Sequence, residues 1–246
     1  MEPVKSYYPN GQLNCEGFAT GKIQQGKWVF YYENGNVFSR GEYNDIGKPI
    51  GIWTEYYEDG QINYESISPR GNGWELNDID LQLLNYWNEN GIPLINNGEG
   101  KLMLYHQNGN IQHISHWKDY IKNGIYQTFY EVGTIAGEYT YKNNIPFGEW
   151  KNWRENGEIA GEGYYKEGKQ FGCLKNWYDN GQLELEYLID DDNWIHKNFW
   201  DKDGTQLLKN GNGKFINYHT FLISYYENYV RIKVENLDRS IPNKQE

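Results

Sequence analysis

The chain has 246 residues, of which 38% are hydrophobic and 17% aromatic, and carries a net charge of −11 at pH 7. That balance disfavours DNA, RNA and anionic lipid surfaces, all of which call for a clustered basic face. Mean hydropathy is −0.90, no run approaches the ~20 apolar residues of a membrane helix, and Cys15 and Cys173 are too few for a disulfide framework, so two reduced thiols are expected.

The N-terminal segment Met1-Glu2-Pro3-Val4-Lys5 has no apolar leader and enters a periodic pattern at once, which points to the cytoplasm. From there Asn-Gly or Asp-Gly recurs, with the glycines at 11, 35, 60, 91, 109, 133, 157, 181 and 204. Most steps are about 24 residues, a period that means an array. The clearest copies run from Gly26 to Gly35, from Gly51 to Gly60 and from Gly148 to Gly157, each a Gly-x-Trp start, an aromatic-rich run and the Asn-Gly or Asp-Gly end. An apolar residue stands two places beyond each turn, as at Val37, Ile62 and Ile159, followed by a second short strand. Each unit therefore reads as one antiparallel hairpin.

Two copies narrow the turn type. Pro9-Asn10-Gly11 and Glu131-Val132-Gly133 do not suit a two-residue type I′ turn, because Val132 would be strained at positive φ. A type I turn followed by a left-handed glycine in a G1 bulge accommodates both. Glycine is then the indispensable residue and Asn merely the preferred one.

Strand parity separates three columns. Trp28, Trp53, Leu102, Tyr126, Trp150 and Leu174 open the first strand of successive units. Three residues on stand Tyr31, Tyr56, Tyr105, Phe129, Trp153 and Trp177, facing the other way if the strand is regular. Four residues on, sharing the first column's face, stand Tyr32, Tyr57, His106, Tyr130, Arg154 and Tyr178. Aromatics on both faces argue against a thick core and for one extended sheet held by ring ladders. The fold class expected is all-β, an elongated single-sheet solenoid of about nine or ten hairpins, on the order of 80–100 Å long.

A longer echo lies above this repeat: Trp87 to Lys101 parallels Trp200 to Lys214 at an offset of 113 residues (200 − 87). In both places the return strand is shortened, so a block ends there. The expected organisation is a first block over 1–100 with an insertion near 66–86, a second over 101–237 with terminal capping strands, and a disordered tail over 238–246. Within the insertion, Asn77 to Asp80 suits a short helix cap or a strand equally. Phe221 to Tyr226 and Tyr229 to Val234 read as the terminal strands.

At Gly26-Lys27-Trp28, Tyr31-Tyr32, Asn34-Gly35 and Gly41-x-Tyr43, and again at Gly51, Trp53, Tyr56-Tyr57, Asp59-Gly60 and Ile62, the chain resembles the MORN-repeat proteins. It is closest to the bacterial variant of that repeat, and the resemblance extends over residues 6 to 220. Such proteins are twisted hairpin solenoids. Many bacterial members are described as antitoxins of toxin–antitoxin systems or as immunity proteins, and others as scaffolds.

The candidate sites are weighed on their residues. Tyr32, Tyr57, Tyr130 and Tyr178, with Glu55 and Arg154, offer large contact area and directional pairing, the chemistry of a docking surface; the alternative is packing between neighbouring hairpins. Asp190, Asp191 and Asp192 form the densest charge run, suited to mimicking phosphates before a basic partner or to a solvated loop. His113 and His116 are three apart and would face opposite ways, so with His106 they make no zinc site. No phosphate loop, serine elbow or metal-ligand spacing is present, so neither enzyme activity nor a cofactor is expected. The reading that follows is a protein-binding array, most readily an antitoxin or immunity protein occluding a toxin with a basic surface. A scaffold for protein assembly is the alternative, an inhibitor of a defence enzyme or nucleotide signal is a weaker one, and a homodimer stays open. On this reading Tyr57→Ala spares the fold and weakens binding.

Overall fold

Short aromatic runs bounded by glycine turns leave the backbone one economical way to satisfy its hydrogen bonds, which is to pair each run with the next. The computed structural model of the protein describes residues 1–67, 82–190 and 193–237. Every regular element among them is a strand, assigned to one 22-stranded sheet. The expected all-β solenoid of tandem antiparallel hairpins is what the chain forms. Most of the insertion, including Asn77 to Asp80, and the tail over 238–246 lie outside the described residues.

In chain order, β1 (Glu2–Tyr7) turns into β2 (Leu13–Thr20), β3 (Ile23–Tyr31) into β4 (Val37–Tyr43), and β5 (Pro49–Tyr56) into β6 (Ile62–Ser66). β7 (Leu83–Trp87) turns into the short β8 (Pro93–Asn96), β9 (Glu99–Tyr105) into β10 (Ile111–Lys118), and β11 (Ile121–Phe129) into β12 (Ile135–Lys142). After β13 (Ile145–Pro146), β14 (Gly148–Trp153) turns into β15 (Ile159–Lys166) and β16 (Lys169–Trp177) into β17 (Leu183–Asp190). β18 (Asn193–Trp200) leads to the short β19 (Gln206–Lys209), and β20 (Asn212–Asn217), β21 (Leu222–Glu227) and β22 (Val230–Asn236) complete the order. The shortened strands β8 and β19 stand at the two places where the 113-residue echo expects them.

The long-period turns are the bulged three-residue loops expected. Gly133 N–H donates to Tyr130 C=O at 2.8 Å and Tyr130 N–H to Thr134 C=O at 2.9 Å. Gly133 takes φ 91° while Val132 keeps a negative φ. Asn is preferred before the glycine because its Oδ1 accepts the N–H two residues on, as Asn34 does from Asn36 at 2.9 Å. The opposite edge of the sheet uses different chemistry. There the two-residue turn appears, with both central residues at positive φ, at Asp119-Tyr120, Asn143-Asn144, Glu167-Gly168 and Asn210-Gly211.

The Gly-x-Trp start is a bulge, which alternation alone does not reveal. β4 pairs β5 through Arg40↔Thr54 and then Glu42↔Ile50, so Gly41 alone faces Gly51, Ile52 and Trp53. Gly17 faces Gly26, Lys27 and Trp28 in the same way, and Gly163 faces Gly172, Cys173 and Leu174. The indole then lies flat across the facing glycine: a Cβ at Gly41 would sit 2.1 Å from the Trp53 ring.

The chain divides into two compact units. The first comprises Met1–Met103, Ile114–Gly124 and Lys142–Asn144, and it buries Trp28, Tyr64, Leu83, Tyr86, Ile95 and Leu102. Its rings pack against one another from strand to strand, with Tyr43 and Trp53 edge to face at 5.0 Å between centroids. The second comprises Leu104–His113, Ile125–Tyr141 and Ile145–Glu246. It holds one cluster of Trp150, Leu174 and Ile189 and another of Leu185, Phe199, Leu208, Ile216, Tyr218 and Leu237. On the opposite face of this unit a polar row crosses the strands, Glu138↔Lys151↔Glu162↔Lys175↔Glu186↔Asn198, with Lys175 Nζ 3.1 Å from Glu162 Oε1.

Candidate functional site

The column four places beyond Trp28 sits at the base of the bulged turns, and its polar atoms reach along the array. Tyr32 Oη donates to Tyr56 C=O at 2.8 Å, Tyr57 Oη to Trp87 C=O at 2.8 Å and Tyr8 Oη to Tyr31 C=O at 2.7 Å. In the second unit Tyr130 donates to Trp153 C=O at 2.8 Å and Tyr178 to Trp200 C=O at 3.0 Å. Where the sequence departs from Tyr, the replacement does the same work. His106 Nε2 bonds Phe129 C=O at 2.9 Å, and the Arg154 guanidinium bonds Trp177 C=O. Each of these side chains thus satisfies a carbonyl of the following hairpin, the packing role weighed as the alternative for this column.

A second rail runs outside the first. Asn34 and Asn36 donate to Glu58 C=O at 3.1 and 2.7 Å, Asn108 and Asn110 to Glu131 C=O at 2.8 and 2.7 Å, and Thr134 to Glu155 C=O at 2.9 Å. The accepting residue is always the first of the turn, immediately before Asn, Asp or Val132. In the first unit these positions are Pro9, Glu33, Glu58 and Glu89; in the second they are Gln107, Glu131, Glu155, Asp179 and Lys202, with Lys202 Nζ 3.0 Å from Asp179 Oδ1, and the acidic ones are exposed. The carbonyl is held in this way at Glu58, Glu131 and Glu155, and the carboxylates stand in a row on one edge of each unit. Sequence reading overlooked this row in favour of the denser run at 190–192. The signal was available as the acidic residue preceding most turn motifs.

Electrostatics follow this placement. Burial, then Glu58 and Glu55, push the Tyr32 phenol up, and burial followed by Glu184 and Asp201 does so for Tyr178. Burial also raises Glu184, against the pull of Arg154 and His219. On the polar face Tyr31 donates to Glu16 Oε1 at 2.7 Å, and burial together with that bond raises it to about 12.

The structure does not bring all the expected site residues together. Glu55 is buried, paired in register with Ser39 and Tyr64, and Tyr178 is only 5% exposed, so neither side chain is presented to solvent. Tyr32 and Tyr57 are half-buried on one edge of the first unit, and Tyr130 and Arg154 are half-buried on one edge of the second. Asp190 is exposed at the end of β17, paired in register with Asn193 and hence on the opposite edge from Tyr178. Asp191 and Asp192 lie outside the described residues. Of the histidines, His106 is engaged as above and His113 packs on Tyr126 with centroids 5.5 Å apart. Among the described residues no group of three His, Cys, Asp or Glu side chains could hold a metal ion.

A tandem hairpin sheet with one edge built from bulged Asn-Gly turns defines a class of repeat protein, the β-hairpin solenoids. The MORN repeat variant matches residues 3–23, 24–45, 49–67, 98–119, 122–143 and 148–167, just over half of the chain, and the protein belongs to that family. No curated protein matches it. Among solved structures it is similar to that titled "Crystal Structure of TcdB2-TccC3-TEV" at 14% identity, covering 92% of this chain and 13% of that one with a TM-score of 0.20. The structure titled "Crystal Structure of TcdB2-TccC3" is similar at 14% identity, 92% and 13% coverage and a TM-score of 0.19. The chain thus spans only a small part of those chains' length.

Proposed function

We propose that this protein is a non-enzymatic protein-binding array, an antitoxin or immunity protein that works in the cytoplasm by occluding the active surface of a partner with a basic face. MORN-variant membership supports a repeat protein for protein binding. The acidic turn edge carries the finer reading. Glu33, Glu58 and Glu89 in one unit and Glu131 and Glu155 in the other are exposed on bulged turns, while Asp179 is paired with Lys202. Carboxylates on alternate strands recur at about 9–10 Å, close to the ~8 Å screening length at physiological salt, so a partner meets a row of separate charges. Such a row attracts a basic surface and is unsuited to nucleic acid. Tyr32, Tyr57, Tyr130 and Arg154 stand directly behind these carboxylates and are the residues we assign to flank the contact.

The experiment is co-expression with the product of the adjacent gene. Capture of that product and rescue of growth are expected, both weakened by Glu131→Lys with Glu155→Lys while circular dichroism is unchanged. Absence of rescue, or rescue indifferent to the charge reversal, would reject this reading. Assembly of the protein without any captured neighbour would favour the scaffold.

A further inference from the structure

The second unit contains a titratable group that neither the array nor the acidic edge uses. His196 on β18 is half-buried within a box of rings drawn from three other strands. Tyr187 of β17 lies opposite it in register with centroids 5.2 Å apart. Phe215 of β20 is 4.3 Å away, and Tyr226 of β21 is 5.5 Å away with its Oη 3.2 Å from His196 Nδ1. Arg231 of β22 is the cation acting on this box, since it bears on both His196 and Tyr226 and pairs in register with Tyr226. Among the described residues, the phenols of Tyr187 and Tyr226 are the ionisable groups packed against the imidazole, and the exposed Arg231 acts on it from the solvent side.

The position of the box gives it consequence. β21 and β22 close over the terminal cluster, and just beyond β22 the buried Leu237 donates its N–H to Phe221 C=O at 2.8 Å while its side chain joins Leu185, Phe199, Leu208 and Ile216. Tyr226 is where that covering hairpin meets the imidazole. We propose that the C-terminal hairpin β21–β22 is a pH-sensitive latch, closed over the terminal cluster by neutral His196 and released when acidification places an imidazolium inside the half-buried ring box.

The direction follows from the surroundings. Burial first, then Arg231, hold the His196 imidazole below its ordinary value. The opened state takes up the proton near pH 6.5 while the closed state does not. Closure is thus fully favoured above that value and is lost as pH falls toward the folded-state value. Within that window opening increases about tenfold for each pH unit. The ring contacts oppose this by favouring a cation, but burial away from water and the exposed Arg231 nearby act the other way.

Hydrogen exchange of the full chain, corrected for intrinsic rates and compared between pH 7.5 and 5.0, tests the latch. Amides in 222–236 are expected to exchange measurably faster at the lower pH, while those in β14 and β15 stay unchanged. His196→Phe should flatten that difference, and Arg231→Met should shrink it without removing an aromatic contact. Equal exchange at both pH values, or acid-enhanced exchange that survives in both variants, overturns the proposal. Should His196→Phe fail to fold, the Arg231→Met comparison decides alone. The outcome is independent of whether the acidic edge binds a toxin.

Discussion

Two kinds of glycine punctuate the sequence, and they fail differently when replaced. Gly60 takes φ 90° with no atom within 4 Å of a built Cβ, so Gly60→Ala meets backbone strain alone. Gly41 has no such backbone demand, but its Cβ would lie 2.1 Å from Trp53 Cδ2. Both substitutions are expected to cost about 1–3 kcal/mol in urea unfolding. Only Gly41→Ala should also change the near-ultraviolet dichroism, because only there must an indole move. The tyrosines of the turn base are read more strictly still. Tyr130→Phe keeps the ring and removes the bond to Trp153 C=O, an expected loss of about 0.5–1.5 kcal/mol seen as a lower urea midpoint. Tyr57→Ala, which the sequence suggests would spare the fold, removes both a packed ring and the bond to Trp87 C=O and should destabilise more than Tyr130→Phe.

Elements of this chain are joined by two main turn chemistries, and each is legible to a different extent. The bulged loop announces itself through Asn-Gly, and Pro9 and Val132 disclose its geometry because a local turn involves only residues within four of one another. Val132 is where the loop lacks its side-chain acceptor. Val132→Asn supplies an Oδ1 for Thr134 N–H and is expected to raise stability by about 0.5–1 kcal/mol, read as a higher thermal midpoint. The Gly-x-Trp bulge was not legible. Alternation places Trp28 and Tyr31 on opposite faces, as observed, but it cannot show that one glycine faces three residues of the next strand. That fact depends on a register set across hairpins. The polar row from Glu138 to Asn198 was hidden for the same reason, since its members become neighbours only after each bulge has shifted the pairing.

Across the whole molecule, burial and charge are distributed so that phenols hold hairpin to hairpin. Tyr32, Tyr57 and Tyr178 are pushed up chiefly by burial, and Tyr31 is raised to about 12 by burial and Glu16. A phenol raised in the folded state contributes stability that is complete below its unfolded value of about 10 and is lost as pH rises through the folded value. The array is therefore expected to weaken cooperatively between about pH 10 and 12. Phenolate absorbance should lag behind that of free tyrosine until unfolding releases it. Titration of most tyrosines near their free value in a still-folded protein would contradict the rail.

The repeat, its hairpin unit, the bulged loop and the shortened strands near residues 95 and 208 were determined by the sequence alone, because each rests on turn preference and short-range periodicity. What the tertiary structure decided was the work of the columns. Tyr32, His106, Tyr130 and Arg154 are spaced alike and differ in chemistry, which invites reading them as a recognition surface. Their common role appears only when each is seen to reach a carbonyl of the next hairpin, 23 or 24 residues away. A contact at that separation is set by strand register and bulge position, neither of which local composition encodes. The acidic edge and the ring box around His196 came into view for the same physical reason.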